Sequence, residues 1–276
     1  MCGKLYIVAT PIGNLEDITL RAIKTLEQVD YIAAEDTRNT LKLLNHLNIS
    51  KKMISYHRHN EEIKKDELID LLNKGKNIAI VSDAGTPCIS DPGEEIVKEA
   101  IKNGIEIVPI PGACALITAL ITSGLDCREF CFIGFLPLHK KLRQEKLEMI
   151  KKERKTTILY EAPHKLKATL QDLELIIEDR KIVLAKELTK IHESYIRGTA
   201  KDIIDSIKEP KGEYVILIEG NKKQEETQAD ILNKLPLDKH YEYYGNKGLD
   251  KKEIIKKIAK DKGVPKNEIY KQFLDD

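Results

Sequence analysis

Short apolar, β-branched runs alternate along this chain with stretches in which leucine and isoleucine return every three or four positions. Leu5-Tyr6-Ile7-Val8-Ala9 has the length of a strand, and from Asp17 the apolar residues Leu20, Ile23, Leu26 and Val29 recur at helical spacing. Tyr31 to Ala34 reads as a second strand, residues 39–47 as a short helix, and Met53 to Tyr56 as a third strand. A helix follows, holding Ile63, Leu68, Leu71 and Leu72. The run Asn77 to Val81 is a fourth strand, the helix after it ends at Asn103-Gly104, Ile105 to Ile110 is a fifth, and Pro111-Gly112 opens a further helix. Repeated strand-loop-helix units of this length predict a mostly parallel sheet covered by helices.

A second unit begins near Phe130. It contains a basic helix (139–155), a strand at Thr156 to Glu161, a helix after Pro163-His164, and strands at Ile182 to Glu187, Ser194 to Gly198 and Tyr214 to Ile218. Residues Asn221 to Gln228 are polar and read as a linker. Ile254, Ile255, Ile258 and Ala259 have helical spacing, Gly263 to Lys266 breaks it, and a last helix holds Ile269, Phe273 and Leu274. The expected division is 1–115 and 116–220 as two α/β domains, with 221–276 as linker and helical extension.

The strand Asn77 to Val81 runs into nine small, hydroxylated or turn-forming residues, 82–90, and then Asp91-Pro92-Gly93-Glu94. Asp91 is expected to cap a helix whose first position is Pro92, with Glu94 and Glu95 set against the positive end of its dipole. Such a loop lets backbone approach a ligand closely. Pro11, Asp36, His57, Asp83 and Pro111 all follow strands, and ligands of open α/β sheets bind at the carboxyl ends of the strands.

With 276 residues, 41% hydrophobic, 33% charged and a net charge of +1, the chain has the composition of a globular protein without a global field for nucleic acid. Five cysteines with no C-x-x-C pair fit a reducing compartment, and a cytoplasmic protein is expected. The apolar start stops at Pro11, too soon for a signal-peptide core. Residues Ala113 to Leu125 fall short of the roughly 20 residues of a membrane span.

Thr10-Pro11-Ile12-Gly13-Asn14 lacks the glycines of a dinucleotide fingerprint, and no P-loop occurs. No H-E-x-x-H and no Cys/His quartet is present, so no metal is expected; His57 and His59 are read as surface or hydrogen-bonded residues, and Cys88 and Cys114 as packing groups. A small-residue cleft without a phosphate cradle suits a ligand with an adenosine half and an amino-acid half.

The segments Val8 to Leu15, Ala34-Glu35-Asp36-Thr37-Arg38, residues 80–93, Pro109 to Ala113, Leu159 to His164 and Lys186-Glu187-Leu188-Thr189-Lys190 together resemble the tetrapyrrole-methylase superfamily of S-adenosylmethionine-dependent methyltransferases. Within it they resemble the branch that methylates the ribose 2′-hydroxyl of a cytidine in small-subunit ribosomal RNA. The likeness covers about 1–220 in consistent order, and the tail resembles that branch's extension. His57-Arg58-His59-Asn60-Glu61 departs from a family motif that more often has an acidic residue where Arg58 stands.

The resemblance implies two α/β domains with S-adenosylmethionine between them, and a homodimer acting on small-subunit RNA. Motif by motif, Pro11 falls where the family lines the cofactor site, and Val81, Ser82, Asp83 and Thr86 fall where it contacts the methionine portion and ribose. Cys114 and Ala115 fall on a second contact, and Tyr160, Glu161, Leu188 and Thr189 approach the adenine side. A ribose hydroxyl is a poor nucleophile at neutral pH, so a proton acceptor would assist; Asp36, Glu161, Glu187 and His192 are candidates. Arg38 and Lys186 are candidates to steady the hydroxyl or a phosphate, and with the resemblance Lys140, Lys141 and Arg143 of the basic helix become RNA contacts. Two alternatives are a small-molecule tetrapyrrole methylase and a noncatalytic RNA-binding or ribosome-assembly factor.

Overall fold

The computed structural model describes residues 2–222 and 232–272, in two compact units, Met1–Asn221 and Lys222–Asp276. In the first, β1 (Leu5–Val8), β2 (Tyr31–Ala34), β3 (Lys52–Ser55), β4 (Ile78–Val81) and β5 (Ile107–Ile110) form a sheet of order β3-β2-β4-β1-β5. Every pair in it is parallel. The crossovers are α1 (Leu20–Gln28), α2 (Thr37–His46), α3 (Glu61–Asn73) and α4 (Glu94–Lys102).

A parallel sheet is covered on both faces, which is why β4 is apolar throughout. Its side chains alternate: Ile78 and Ile80 pack with Leu68, Leu72 and Ile96, while Ala79 and Val81 pack with Leu26 and Leu44 on the opposite face.

The second sheet holds β6 (Phe130–Gly134), β7 (Thr156–Glu161), β8 (Ile182–Lys186), β9 (Ser194–Gly198) and β10 (Tyr214–Ile218) in the order β6-β7-β10-β8-β9. Only β6 and β7 pair in parallel. One face carries α6 (Lys140–Lys152), α7 (Pro163–Ile177) and α8 (Ala200–Ser206). The other is covered by α5 (Ala115–Ser123), the helix that leaves the first sheet: Leu116, Ala119 and Leu120 pack on Val183, Val215 and Leu217. The fold is thus the expected pair of α/β halves, the first sheet parallel and the second mixed.

Three expected boundaries shift, each for a local reason. Helix α2 starts at Thr37 because Oδ1 of Asp36 caps it, accepting the N–H of Arg38 at 2.8 Å. The basic helix ends at Lys152 because Glu153 turns extended to deliver Thr156 to β7. Asp91 does not cap α4. That helix starts at Glu94 with Gly93 at its N-cap, at a φ of +135 that L side chains rarely adopt, and Pro92 lies outside it.

The second unit holds α9 (Leu237–Gly245), which the apolar spacing did not predict, α10 (Lys251–Lys262) and α11 (Lys266–Gln272), packed around Tyr244, Ile254, Ile258 and Ile269. Asp250 caps α10 and Gly263 closes it in the left-handed conformation. Phe273, Leu274 and residues 223–228 of the expected linker lie outside the described residues.

Candidate functional site

The loops that follow β1, β4 and β5 are fastened to one another. Thr10 and Gly85 exchange backbone bonds, Thr10 N to Gly85 O at 2.8 Å and Gly85 N to Thr10 O at 3.1 Å, with Gly85 at φ +83. The Thr86 hydroxyl donates to the carbonyl of Ala113 at 3.0 Å. Opposite them stand the end of β7, with Tyr160 and Glu161, and Leu188 beyond β8. A cleft of about 340 Å³ lies between these walls. The Tyr160 hydroxyl fixes the start of α5 by accepting the N–H of Leu116 at 3.1 Å, and its ring packs edge-on against Phe132 and Phe135.

The first-half wall is acidic. Asp83 and Asp91 line the cleft, and Glu35 lies near both. Burial, reinforced by Glu35 and Asp83 and opposed by Arg58 and a Ser82 hydrogen bond, pushes the Asp91 carboxyl up to about 7. Burial and then Asp83 raise Glu35 as well. Burial and then Asp91 push the Cys88 thiol up to about 11, which leaves it a packing group rather than a thiolate. Arg58 supplies positive charge here, and its Nη2 donates to the carbonyl of Ser90 at 2.7 Å. The unusual residue of the His57–Glu61 cluster therefore braces the small-residue loop. Cys88 and Ser90 in that loop hold positive φ, 70 and 69.

Of the residues expected at a cofactor, Asp83, Thr86, Cys114, Ala115, Tyr160, Glu161 and Leu188 line this cleft. Pro11 and Ser82 do not; with Asp83 they line an adjoining recess of about 160 Å³ against α2. Val81 is buried in the first sheet. Thr189, at φ 64, uses its hydroxyl to accept the N–H of Asn14 at 3.0 Å, tying the loop after β8 to the loop after β1.

Of the proton-acceptor candidates, only Glu161 lines the cleft. Asp36 is engaged by Arg38 through Nε at 3.1 Å and Nη2 at 2.7 Å, which lowers its carboxyl to about 2. Glu187 receives Lys190 at 3.0 Å and the N–H of Glu213 at 2.9 Å, and His192 is exposed. Of the expected RNA contacts, Arg38 is exposed on α2, Lys186 ends β8 half-buried, and Lys140 and Lys141 border an open groove along α6. Arg143 is only 18% exposed and bonds inward to Asp172 and Thr169.

The cleft also recruits Ile89 and Asp91 from the stretch 80–93 expected at the ligand, and Ile12, Phe135 and Tyr214, which were not expected there. Asp91 carried a signal, an acid at the end of the small-residue loop, but Ser-Asp-Pro-Gly reads equally as a helix start. Phe135 and Tyr214 belong to the second half, where only tertiary pairing brings them to the cleft.

The family model described as Tetrapyrrole (Corrin/Porphyrin) Methylases matches residues 4–204. The protein called Ribosomal RNA small subunit methyltransferase I of Halalkalibacterium halodurans is 52% identical over 97% of this chain and 93% of its own length. Proteins of the same name from Bacillus subtilis (strain 168) and Escherichia coli O157:H7 are 48% and 44% identical, over 98% and 99% of this chain and 94% and 95% of their own. Among solved structures, a diphthine synthase superposes with a TM-score of 0.62 at 15% identity, covering 80% of this chain and 92% of its own. A Thermus thermophilus uroporphyrin-III C-methyl transferase complexed with S-adenyl homocysteine superposes with a TM-score of 0.57 at 16% identity, covering 78% and 97%. These last two likenesses are of fold.

Proposed function

This chain belongs to the tetrapyrrole (corrin/porphyrin) methylase family, and from that premise we propose that it transfers a methyl group from S-adenosylmethionine to the ribose 2′-hydroxyl of a cytidine in small-subunit ribosomal RNA. Identity of 44–52% over nearly the whole chain makes it a ribosomal RNA methyltransferase of the kind its relatives are named for. The cytidine and its 2′-hydroxyl are the finer part of the proposal.

The observation that carries the reading is the make-up of the cleft. Asp83, Asp91 and Glu161 offer acceptors, Ile12, Ile89, Phe135 and Val215 an apolar wall, and no described lining residue is lysine or arginine. That set suits a cationic sulfonium with an amino-acid arm and a flat purine, and suits poorly a ligand bearing phosphates. The related transferase complexed with S-adenyl homocysteine supports the same ligand class.

When bound, the cofactor supplies an electrophilic methyl group. The chain's work is to hold methyl and hydroxyl in attack geometry and to keep water out. The fastened loops after β1, β4 and β5 suit the first task and the Tyr160–Phe135 wall the second. We read Asp83, Thr86, Cys114 and Ala115 as holding the methionine side, with Pro11, Val81 and Ser82 shaping the loops behind them. Tyr160, Glu161, Leu188 and Thr189 then belong to the adenine side. On this reading 1–115 and 116–220 each contribute one wall, and 221–276 is an extension.

For RNA we propose Lys140 and Lys141 on α6, with Arg38 and Lys186, as phosphate contacts. We also read the protein as a cytoplasmic homodimer; no helix among the described residues is long and apolar enough to cross a membrane. A tetrapyrrole methylase and a noncatalytic assembly factor are the competing readings. Incubation with labelled cofactor and small subunits lacking the mark, followed by nucleoside mass spectrometry, tests all three: label on the cytidine ribose is expected. Label on a base refutes the 2′-hydroxyl assignment, and no labelled RNA refutes the enzyme.

A further inference from the structure

Glu161 ends β7 with 4% exposure, in the wall of the cleft. Both carboxylate oxygens accept hydrogen bonds from the chain: Oε1 from the N–H of Ala162 at 2.8 Å and Oε2 from the hydroxyl of Thr169 at 2.5 Å. Thr169 is fully buried on α7. Its oxygen in turn accepts Nη2 of Arg143 at 2.9 Å, while Nε of the same guanidinium donates to Oδ2 of Asp172 at 2.7 Å.

The direction of this chain is fixed by one fact of inventory. A guanidinium has donors and no acceptor, so at Arg143 the Thr169 oxygen can only accept, and its single hydrogen is left for Glu161. A threonine inside a helix otherwise turns its hydroxyl to the carbonyl one turn earlier; here the hydrogen goes to Oε2 of Glu161 instead. The ion pair with Asp172 would by itself join α6 to α7. The bond from Nη2 to Thr169, an atom that also lies 2.7 Å from Oδ2 of Asp172, strengthens that joint and in addition bears on Glu161.

We propose that Thr169 and Arg143 are positioning residues: they hold the Glu161 carboxylate in the cleft wall in one orientation, with its remaining acceptor capacity kept for an N–H donor on the adenine side of the bound cofactor. The inference rests on the reading of the cleft as the S-adenosylmethionine site. It also gives Arg143 an inward task in place of an RNA phosphate.

Calorimetry of the full chain with S-adenosylhomocysteine, alongside its melting temperature, tests this. Thr169→Val keeps the shape and deletes the hydroxyl; it should weaken binding about tenfold, the scale of one hydrogen bond to a charged group. Thr169→Ser should restore affinity, and Arg143→Lys, which keeps the charge but loses the fork, should weaken binding while the protein stays folded. In a Glu161→Gln background, Thr169→Val should have little further effect on affinity, because its effect passes through that carboxylate. A purely structural hydroxyl would lower the melting temperature and leave the coupling absent. Wild-type affinity in folded Thr169→Val and Arg143→Lys overturns the positioning role, as does an undiminished Thr169→Val effect in the Glu161→Gln background. Absence of binding to the wild-type chain would instead overturn the cofactor site itself, and the inference with it.

Discussion

The backbone N–H of Asp36 donates to Oδ1 of Asp83 at 3.0 Å, so the loop after β2 hangs from the loop after β4. Asn39 donates to the other oxygen of Asp83 at 3.2 Å. Asp83 is thus both a cleft residue and the joint between two loops at the carboxyl end of the first sheet. Asp83→Ala should weaken S-adenosylmethionine binding about tenfold and also destabilise the fold by about 1–3 kcal/mol, since the Asp36 N–H loses its acceptor. Calorimetry and urea unfolding of the same sample separate the two effects. Wild-type affinity in the folded variant would remove Asp83 from the cofactor site.

Asp91 carries a pH dependence whose sign follows from its neighbours. Its folded value of about 7 lies above the roughly 3.9 of an unfolded aspartate, so the native state binds the proton more tightly. Its contribution is therefore fully present below about pH 4 and is lost as pH rises through about 7. Asp91→Asn should stabilise the ligand-free protein at pH 8 by about 1–2 kcal/mol, a figure discounted for partial exposure, and give no gain near pH 4. Denaturant midpoints of the two proteins across that range check it. A constant difference at all pH values would assign the effect to packing.

How far the residues themselves disclose this arrangement differs between the halves. β4 is legible because Ile78 to Val81 is apolar on both faces, as a central parallel strand must be. The insertion of β10 between β7 and β8 is not, because the alternation within Tyr214–Ile218 says which face each side chain takes and nothing about neighbours. The motifs locate the cleft through Asp83, Thr86, Tyr160 and Glu161. They do not show that Asp91 leaves the helix start, which depends on the backbone of Gly93, or that Arg143 turns from its basic helix to Thr169 on α7. A run of lysine and arginine shows charge along a helix, whereas the facing partner decides which of those side chains is solvated.

Gly93 is required twice over. Its φ of +135 is costly for any L side chain, and an added Cβ would come within 2.6 Å of Cys88 Sγ. Gly93→Ala should destabilise the chain by about 2–3 kcal/mol and loosen the loop that carries Asp91. Adding Cys88→Ala removes the clash but not the backbone strain, so it should recover only part of the loss. Thermal denaturation of the single and double variants measures both portions. Full recovery in the double variant would show that the clash alone mattered.

In the C-terminal unit, Asp261 serves two buried partners. Its Oδ2 accepts the Tyr244 hydroxyl at 2.6 Å and lies 3.1 Å from Nε2 of His240, whose side chain is fully buried and stacks on the Tyr244 ring. Burial and then this hydrogen bond push the Tyr244 phenol up to about 12. Asp261→Leu should leave the hydroxyl and the imidazole without their acceptor at a cost of about 2–4 kcal/mol, and His240→Phe beside it should recover part of that by removing one orphaned group. Because the residues concerned all belong to α9 and α10, hydrogen exchange should quicken across Leu237–Lys262 while the amides of both sheets keep their protection. Equal loss of protection in the sheets would show that the two units unfold as one.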